Sequence, residues 1–229
     1  MKGRKKMNTA KFHDIFKPES IIDRIHIVGC GAVGSLVAET LTRMGLTNIT
    51  LYDFDIVCPH NIANQIYTEN DIGKLKVNAL AERMKAINPE IDRTLKLRPE
   101  GYTTQKLTGY IFLCVDNIDL RRRIVEENKN NIFIKGMFDF RMRLYDAQHF
   151  AADWTDTKAV TSLLNSMQFT HEEAAEETPV SACNLTLSVI PTVWTIVSLG
   201  VSNFINMATG INYKKIIYSY PFKSVTESY

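Results

Sequence analysis

Arg24-Ile25-His26-Ile27-Val28-Gly29-Cys30-Gly31-Ala32-Val33-Gly34 decides the fold. Arg24–Val28 reads as a buried strand that runs straight into a Gly-x-Gly-x-x-Gly turn. From Ala32 to Met44, apolar residues recur at helical spacing (Val33, Leu36, Val37, Leu41, Met44), and Gly45 stands where a helix ends. Asn48–Tyr52 reads as a second strand, closing at Asp53-Phe54-Asp55. Strand, glycine turn, helix and strand in that order form a βαβ unit, which predicts a parallel strand pair.

The three glycines have geometric roles. Gly29 permits the tight turn, Gly31 lets backbone approach a phosphate, and Gly34 lets helix and strand pack closely. The helix behind them offers unsatisfied N–H groups and a positive dipole end to an anion. Asp53 stands at the end of the second strand, where a carboxylate accepts ribose hydroxyls. A nucleotide site follows. A nicotinamide-dependent oxidoreductase and an ATP-using enzyme fit these residues equally well.

Downstream, Lys74–Ile87 has a helical apolar face, and Asn88-Pro89 ends it. Strands are expected at Thr94–Leu97, Tyr110–Val115 and Asn131–Lys135, with a helix from Ile118 to Glu127. Arg141–Phe150 alternates like one partly exposed strand. Residues 151–179 are polar, carry Glu172, Glu173, Glu176 and Glu177, and read as a mobile crossover loop. A long helix is expected after Pro179, and a last strand at Lys215–Tyr220. The whole is a Rossmann-like α/β fold: a mostly parallel sheet flanked by helices, with antiparallel C-terminal strands. Residues 1–20 read as an N-terminal segment, in which Phe12, Ile15 and Phe16 suit a short docking turn, and 21–229 as a single domain.

Three further segments narrow the function. Asp53-Phe54-Asp55-Ile56-Val57-Cys58-Pro59-His60-Asn61-Ile62-Ala63-Asn64-Gln65 resembles the D-x-D-x-V-x-x-x-N-L-x-R-Q signature of the ThiF/MoeB family, relatives of ubiquitin-activating enzymes. Ile72-Gly73-Lys74-Leu75-Lys76-Val77 is similar to that family's I/V-G-x-x-K-V/A. Cys114-Val115-Asp116-Asn117-Ile118-Asp119-Leu120-Arg121 resembles its D-x-x-D-N-x-x-x-R region, with Cys114 in place of the first Asp. The resemblance implies an adenylyltransferase that binds ATP and Mg²⁺ and activates the C-terminal carboxylate of a small ubiquitin-like protein or peptide. It implies nucleotide contacts from Gly29, Gly31, Gly34, Asp53, Asp55, Asn61, Gln65 and Lys76. It gives Lys76 the neutralisation of phosphate charge, and Asp116 both the Mg²⁺ and the chemistry. Those residue types suit the reaction, because a carboxylate meets an α-phosphate only where cations screen the two anions.

The pattern also breaks. Asn64 stands where the family has an arginine, so a fixed charge is missing. Either another cation replaces it, such as Arg4 or Lys5 of the partner subunit, or the chain is a nucleotide-binding subunit without catalysis. The family's paired C-x-x-C motifs are absent, so zinc is not expected. Cys183 is the best-placed thiol for a thioester, against the plainer reading of a small residue starting a core helix. From Thr178 to Tyr213 the chain has no charged residue, which suits a buried core or homodimer-interface helix better than a membrane span. A net charge of +2 gives no strong field toward nucleic acid or membrane. The scattered cysteines and the lack of an N-terminal apolar run lead to a cytoplasmic expectation.

Overall fold

β1 (Ile25–Val28) and β2 (Ile49–Tyr52) are buried along their whole length and pair in parallel, with α1 (Ala32–Arg43) crossing between them. This is the arrangement expected of the opening βαβ unit. The computed structural model describes residues 7–176, 180 and 187–229. After β2 come α2 (Lys76–Ile87), β3 (Lys96–Arg98), β4 (Gly109–Leu113) and α3 (Ile118–Asn128). The chain continues through β5 (Ile134–Met142), β6 (Ala147–Asp153), α4 (Thr157–Asn165), α5 (His171–Glu176), α6 (Ile190–Ala208), β7 (Ile216–Tyr220) and β8 (Val225–Ser228).

The strands form one sheet in the order β3-β2-β1-β4-β5-β6-β7-β8. The pairs from β3 to β5 are parallel, and those from β5 to β8 are antiparallel. Strand order reverses at β1, which has β2 on one side and β4 on the other. Ligands of open α/β sheets bind outside the strand C-termini at such a reversal.

Two cores lie on the two sheet faces. On the first, Ile27, Leu51, Phe112 and Phe138 are buried under α1, α2 and α6. Phe204 of α6 meets Tyr110, Phe112 and Phe138 edge-on, with ring centroids 5.1, 5.2 and 5.3 Å apart. On the second, Ile111, Leu113 and Met137 pack with Ile124, Val160 and Leu163 of α3 and α4. The N-terminal segment joins the first core: Phe16 is buried and Phe12 packs beside it, whereas Ile15 points to solvent.

The structure differs from the sequence reading in its second half. Arg141–Phe150 is not one strand but the end of β5, a turn closed by Arg143 N–H to the Asp146 carbonyl (2.8 Å), and the start of β6. Both strands sit inside the sheet, so burial replaces alternation. Asn131–Lys135 supplies only the beginning of β5. Residues 151–179 are not loop throughout. β6 runs to Asp153, Asp156 caps α4 through Lys158 N–H (2.9 Å), and Thr170 and Glu173 exchange bonds at the start of α5. α6 begins at Ile190 with Pro191 in its first turn, and β8 adds an exposed edge strand that the pattern did not announce.

His149 of β6 lies fully buried between these layers, its ring 4.5 Å from that of Phe140 and its Nε2 3.2 Å from Asn203 Nδ2 of α6. Burial pushes its pKa down to about 4, with Asp139 opposing. The unfolded chain protonates such a ring near pH ~6.5, so stability from neutral His149 is full above that pH and is lost as the pH falls toward the folded value. We expect urea titrations of the wild type to lose about 2 kcal/mol more stability between pH 7 and 5 than those of His149→Gln. Equal losses would remove His149 as the cause.

Candidate nucleotide-binding site

The turn after β1 is held from both sides. Gly29 has φ +94°, and its N–H donates to the Tyr52 carbonyl at 2.8 Å. A Cβ there would stand 2.8 Å from the Cys114 carbonyl, so the turn presses against the end of β4. A Cβ on Gly34 would meet the Gly29 carbonyl oxygen at 1.8 Å. Gly31 is different, because a Cβ there meets nothing within 4 Å among the described residues. Gly31 is also the N-cap of α1, and no side chain caps that helix. The glycine turn therefore presents open space and uncapped N–H groups, the combination an anion requires.

Asp53 ties this turn to β2. Its Oδ2 accepts the Cys30 N–H at 2.6 Å, and its Oδ1 accepts the Asp55 N–H at 2.8 Å. Burial raises its pKa, while those two N–H groups and Lys76 hold it down. Lys76 opens α2 and is buried, with Nζ 2.7 Å from Asp55 Oδ2. Its backbone N–H also donates to the Asp55 carbonyl at 2.9 Å. The Ile56–Leu75 bridge and the Val57 N–H to Lys74 carbonyl bond (2.9 Å) close the intervening loop. Residues far apart in sequence, from Gly29 to Lys76, are thus connected by direct hydrogen bonds.

The other predicted positions are more varied. Asn61 is buried, and its Oδ1 accepts the Cys58 N–H at 2.8 Å, so that oxygen serves the local 3-10 turn. Asn64 Nδ2 bonds Ser188 Oγ, which ties the same turn to the segment before α6. Asn64 Oδ1 and Gln65 Oε1 are buried oxygens without a partner among the described residues, and such atoms mark a place where a ligand or water completes the bonding. Asp116 is exposed just past β4, whose continuation is held by Cys114 N–H to the Val28 carbonyl (2.8 Å). Among the described residues, no group of three or more His, Cys, Asp or Glu side chains converges on a point. Cys183, Arg4 and Lys5 lie outside the described residues.

Two supports were not legible in the sequence. Tyr67 is buried, and its hydroxyl donates to the Cys30 carbonyl at 2.7 Å, bracing the turn from the α2 side. It lies in a polar stretch with no periodicity to flag it. Arg121 was visible as a motif residue without a role. Its Nε donates to the Val115 carbonyl at 2.7 Å, and its guanidinium pairs with the fully buried Asp139. Arg141 completes the pairing at 2.6 Å from Asp139. Burial alone would raise the Asp139 carboxyl, and the two guanidiniums reverse this and hold it low. This buried network fixes the backbone immediately before Asp116.

A sequence model of the ThiF family matches residues 22–226. The chain belongs to the ThiF family. The tRNA threonylcarbamoyladenosine dehydratase of Haemophilus influenzae is 33% identical over 135 residues, covering 53% of this chain and 52% of the relative. The ubiquitin-like modifier-activating enzyme 5 of Drosophila virilis is 29% identical over 151 residues, covering 58% and 37%. This ThiF-family chain therefore matches about half the length, or less, of these relatives. A solved structure of Escherichia coli MccB with ATP has the same fold at a TM-score of 0.66 and 16% identity, covering 93% of this chain and 65% of MccB.

The glycines separate packing from binding. Gly34→Ala should lower unfolding stability by about 3 kcal/mol, the upper range for overpacking, because the new methyl meets backbone. Gly31→Ala should leave stability within about 0.5 kcal/mol, as at an open position. The same Gly31→Ala change should weaken ATP binding measured by calorimetry by about tenfold, through obstructed access to the α1 N–H groups. Unchanged ATP affinity in Gly31→Ala would remove the turn from the site.

Proposed function

We propose that this chain is an ATP-dependent adenylyltransferase, with residues 21–229 as its adenylation domain, and that it activates the C-terminal carboxylate of a small ubiquitin-like protein or peptide. The observation that carries the reading is Lys76, a buried ammonium 2.7 Å from Asp55 and linked through Asp53 to the glycine turn. An acceptor carboxylate attacking an α-phosphate needs such a charge beside both anions. The chain would use Asp53 for the ribose, the turn and Lys76 for the phosphates, and Asp116 for Mg²⁺. Bound Mg²⁺ would supply further charge neutralisation. The acceptor oxygen forms a bond to the α-phosphorus, the bond to the β-phosphate bridging oxygen breaks, and pyrophosphate leaves. The nicotinamide reading retains only the glycine turn and Asp53.

Asn64 supports a second reading, a nucleotide-binding subunit without catalysis. Its amide carries no charge, and it is engaged with Ser188. ATP–pyrophosphate exchange separates the two, with a Gly-Gly-ending protein, a short peptide and tRNA as acceptor candidates. The first reading expects exchange that drops at least about a hundredfold in Asp116→Ala, the scale for losing preorganised charge stabilisation. Tight ATP binding with no exchange until a second protein is added would favour the other. Tight NAD(H) binding without ATP binding would overturn both.

We further propose a homodimer in the cytoplasm, formed on α6. That helix is long and apolar enough by length and composition to cross a membrane, yet Val193, Ile196, Val197 and Phe204 face the core. Trp194 on the same helix is 59% exposed, a large apolar surface suited to a second copy. Sedimentation at micromolar concentration should give a dimer that Trp194→Glu dissociates. A monomeric wild type would count against it.

A further inference from the structure

A cavity of about 360 Å³ opens on the sheet face opposite α1 and α2, beside edge strand β3. It is separate from the turn, because Gly31, Asp53, Asp55 and Lys76 do not line it. The chain passes from β3 to β4 through residues 99–108 without a helix, which leaves this part of the sheet uncovered. Side chains alternate along a strand, so Lys96 and Arg98 of β3 lie on the cavity side with Thr50 and Tyr52 of β2. Leu97 between them packs against the opposite core.

The lining is strongly cationic. Arg24, Lys96, Arg98 and Lys106 contribute four positive groups, and no carboxylate is present among the described residues that line it. Arg24 is partly committed to the Ile49 and Thr94 carbonyls, at 3.1 and 2.7 Å. Arg98 has Glu100 at 3.8 Å just outside the lining. Lys96 and Lys106 are exposed and have no ion pair among the described residues. Like charges gathered with so little protein counter-charge repel one another, and an anion relieves this.

The floor is polar and buried. His26 and Tyr52 are 5% and 2% exposed, and His26 Nδ1 lies 2.8 Å from the Tyr52 hydroxyl. The Thr108 N–H donates to His26 Nε2 at 3.4 Å. Burial, with Arg24 and Lys96 nearby, pushes the His26 pKa down to about 4, so the ring is neutral at pH 7. The Tyr52 hydroxyl and the His26 ring thus form a buried polar pair at the floor of the cavity.

We propose that this cavity binds a phosphate group, either free phosphate or the phosphate of a small ester. Lys96, Arg98 and Tyr52 line the cavity from the sheet, and Lys106 lines it from the segment before β4. A tetrahedral dianion accepts such a set, and a planar carboxylate uses less of it. The site is coupled to the nucleotide turn through the backbone. Tyr52 precedes Asp53, and the Asp53 N–H donates to the Arg98 carbonyl at 3.2 Å.

The test is calorimetric titration of the full chain at fixed ionic strength, with inorganic phosphate in one arm and ribose 5-phosphate in the other. A saturating non-hydrolysable ATP analogue is present throughout to occupy the turn. Saturable binding is expected in at least one arm, and the tighter arm identifies the source. The exposed pair Lys96→Gln with Lys106→Gln should weaken it at least about tenfold, and Tyr52→Phe about threefold. Wild-type affinity in the lysine double variant would overturn the proposal, as would binding that appears only when the ATP analogue is omitted. A short single-stranded RNA that binds through the same lysines while neither phosphate ligand does would overturn it in favour of a polynucleotide.

Discussion

The fold is organised around the contact between the glycine turn and the ends of its neighbouring strands. Gly29 N–H on the Tyr52 carbonyl and Asp53 on the Cys30 N–H hold β1 to β2 just beyond the sheet. On the other side, Gly29 lies so close to Cys114 that a side chain has no room. Gly34 brings α1 down onto the same turn. Removing any of these approaches would separate the helix from the strands and open the crevice at the strand-order reversal. The backbone that closes the core also leaves the N–H groups at the start of α1 without a side-chain cap among the described residues.

Around this contact the protein uses buried charge for positioning. Asp139 is fully enclosed and satisfied by two arginines, one of which holds the Val115 carbonyl. A buried pair of this kind contributes little net stability compared with an apolar replacement, but losing one partner leaves an uncompensated charge. Its value lies in orientation. The loop carrying Asp116 is fixed from beneath, while Asp116 itself stays exposed. At the other wall, a short ion pair to Asp55 holds the buried Lys76 ammonium in place.

The first half of the chain was readable because its signals are local. β1, α1, β2 and α2 announce themselves by apolar runs, helical spacing and glycines at element ends, and they are found within about two residues of their expected bounds. Asp53, Asp55 and Lys76, singled out by their motifs, are joined in the structure by direct bonds. The second half was harder. β5 and β6 are central strands of a mixed sheet, so alternation gave no sign of the hairpin at Arg143–Asp146. The caps at Asp156 and Thr170 were present in the sequence but masked by the surrounding polarity. Tyr67, Asp139 and the cationic cavity depend on side chains that meet only after the sheet forms.

The sheet's two outer strands have a consequence for assembly. β3 has three residues, two of them cationic and exposed, and β8 has four exposed residues including Glu227. Short, charged borders are poor templates for strand addition from another molecule. Backbone pairing of one copy with another is thereby disfavoured at both borders of the sheet. The hydrogen-bond ladder that carries the glycine turn therefore ends on both sides in strands unsuited to extension.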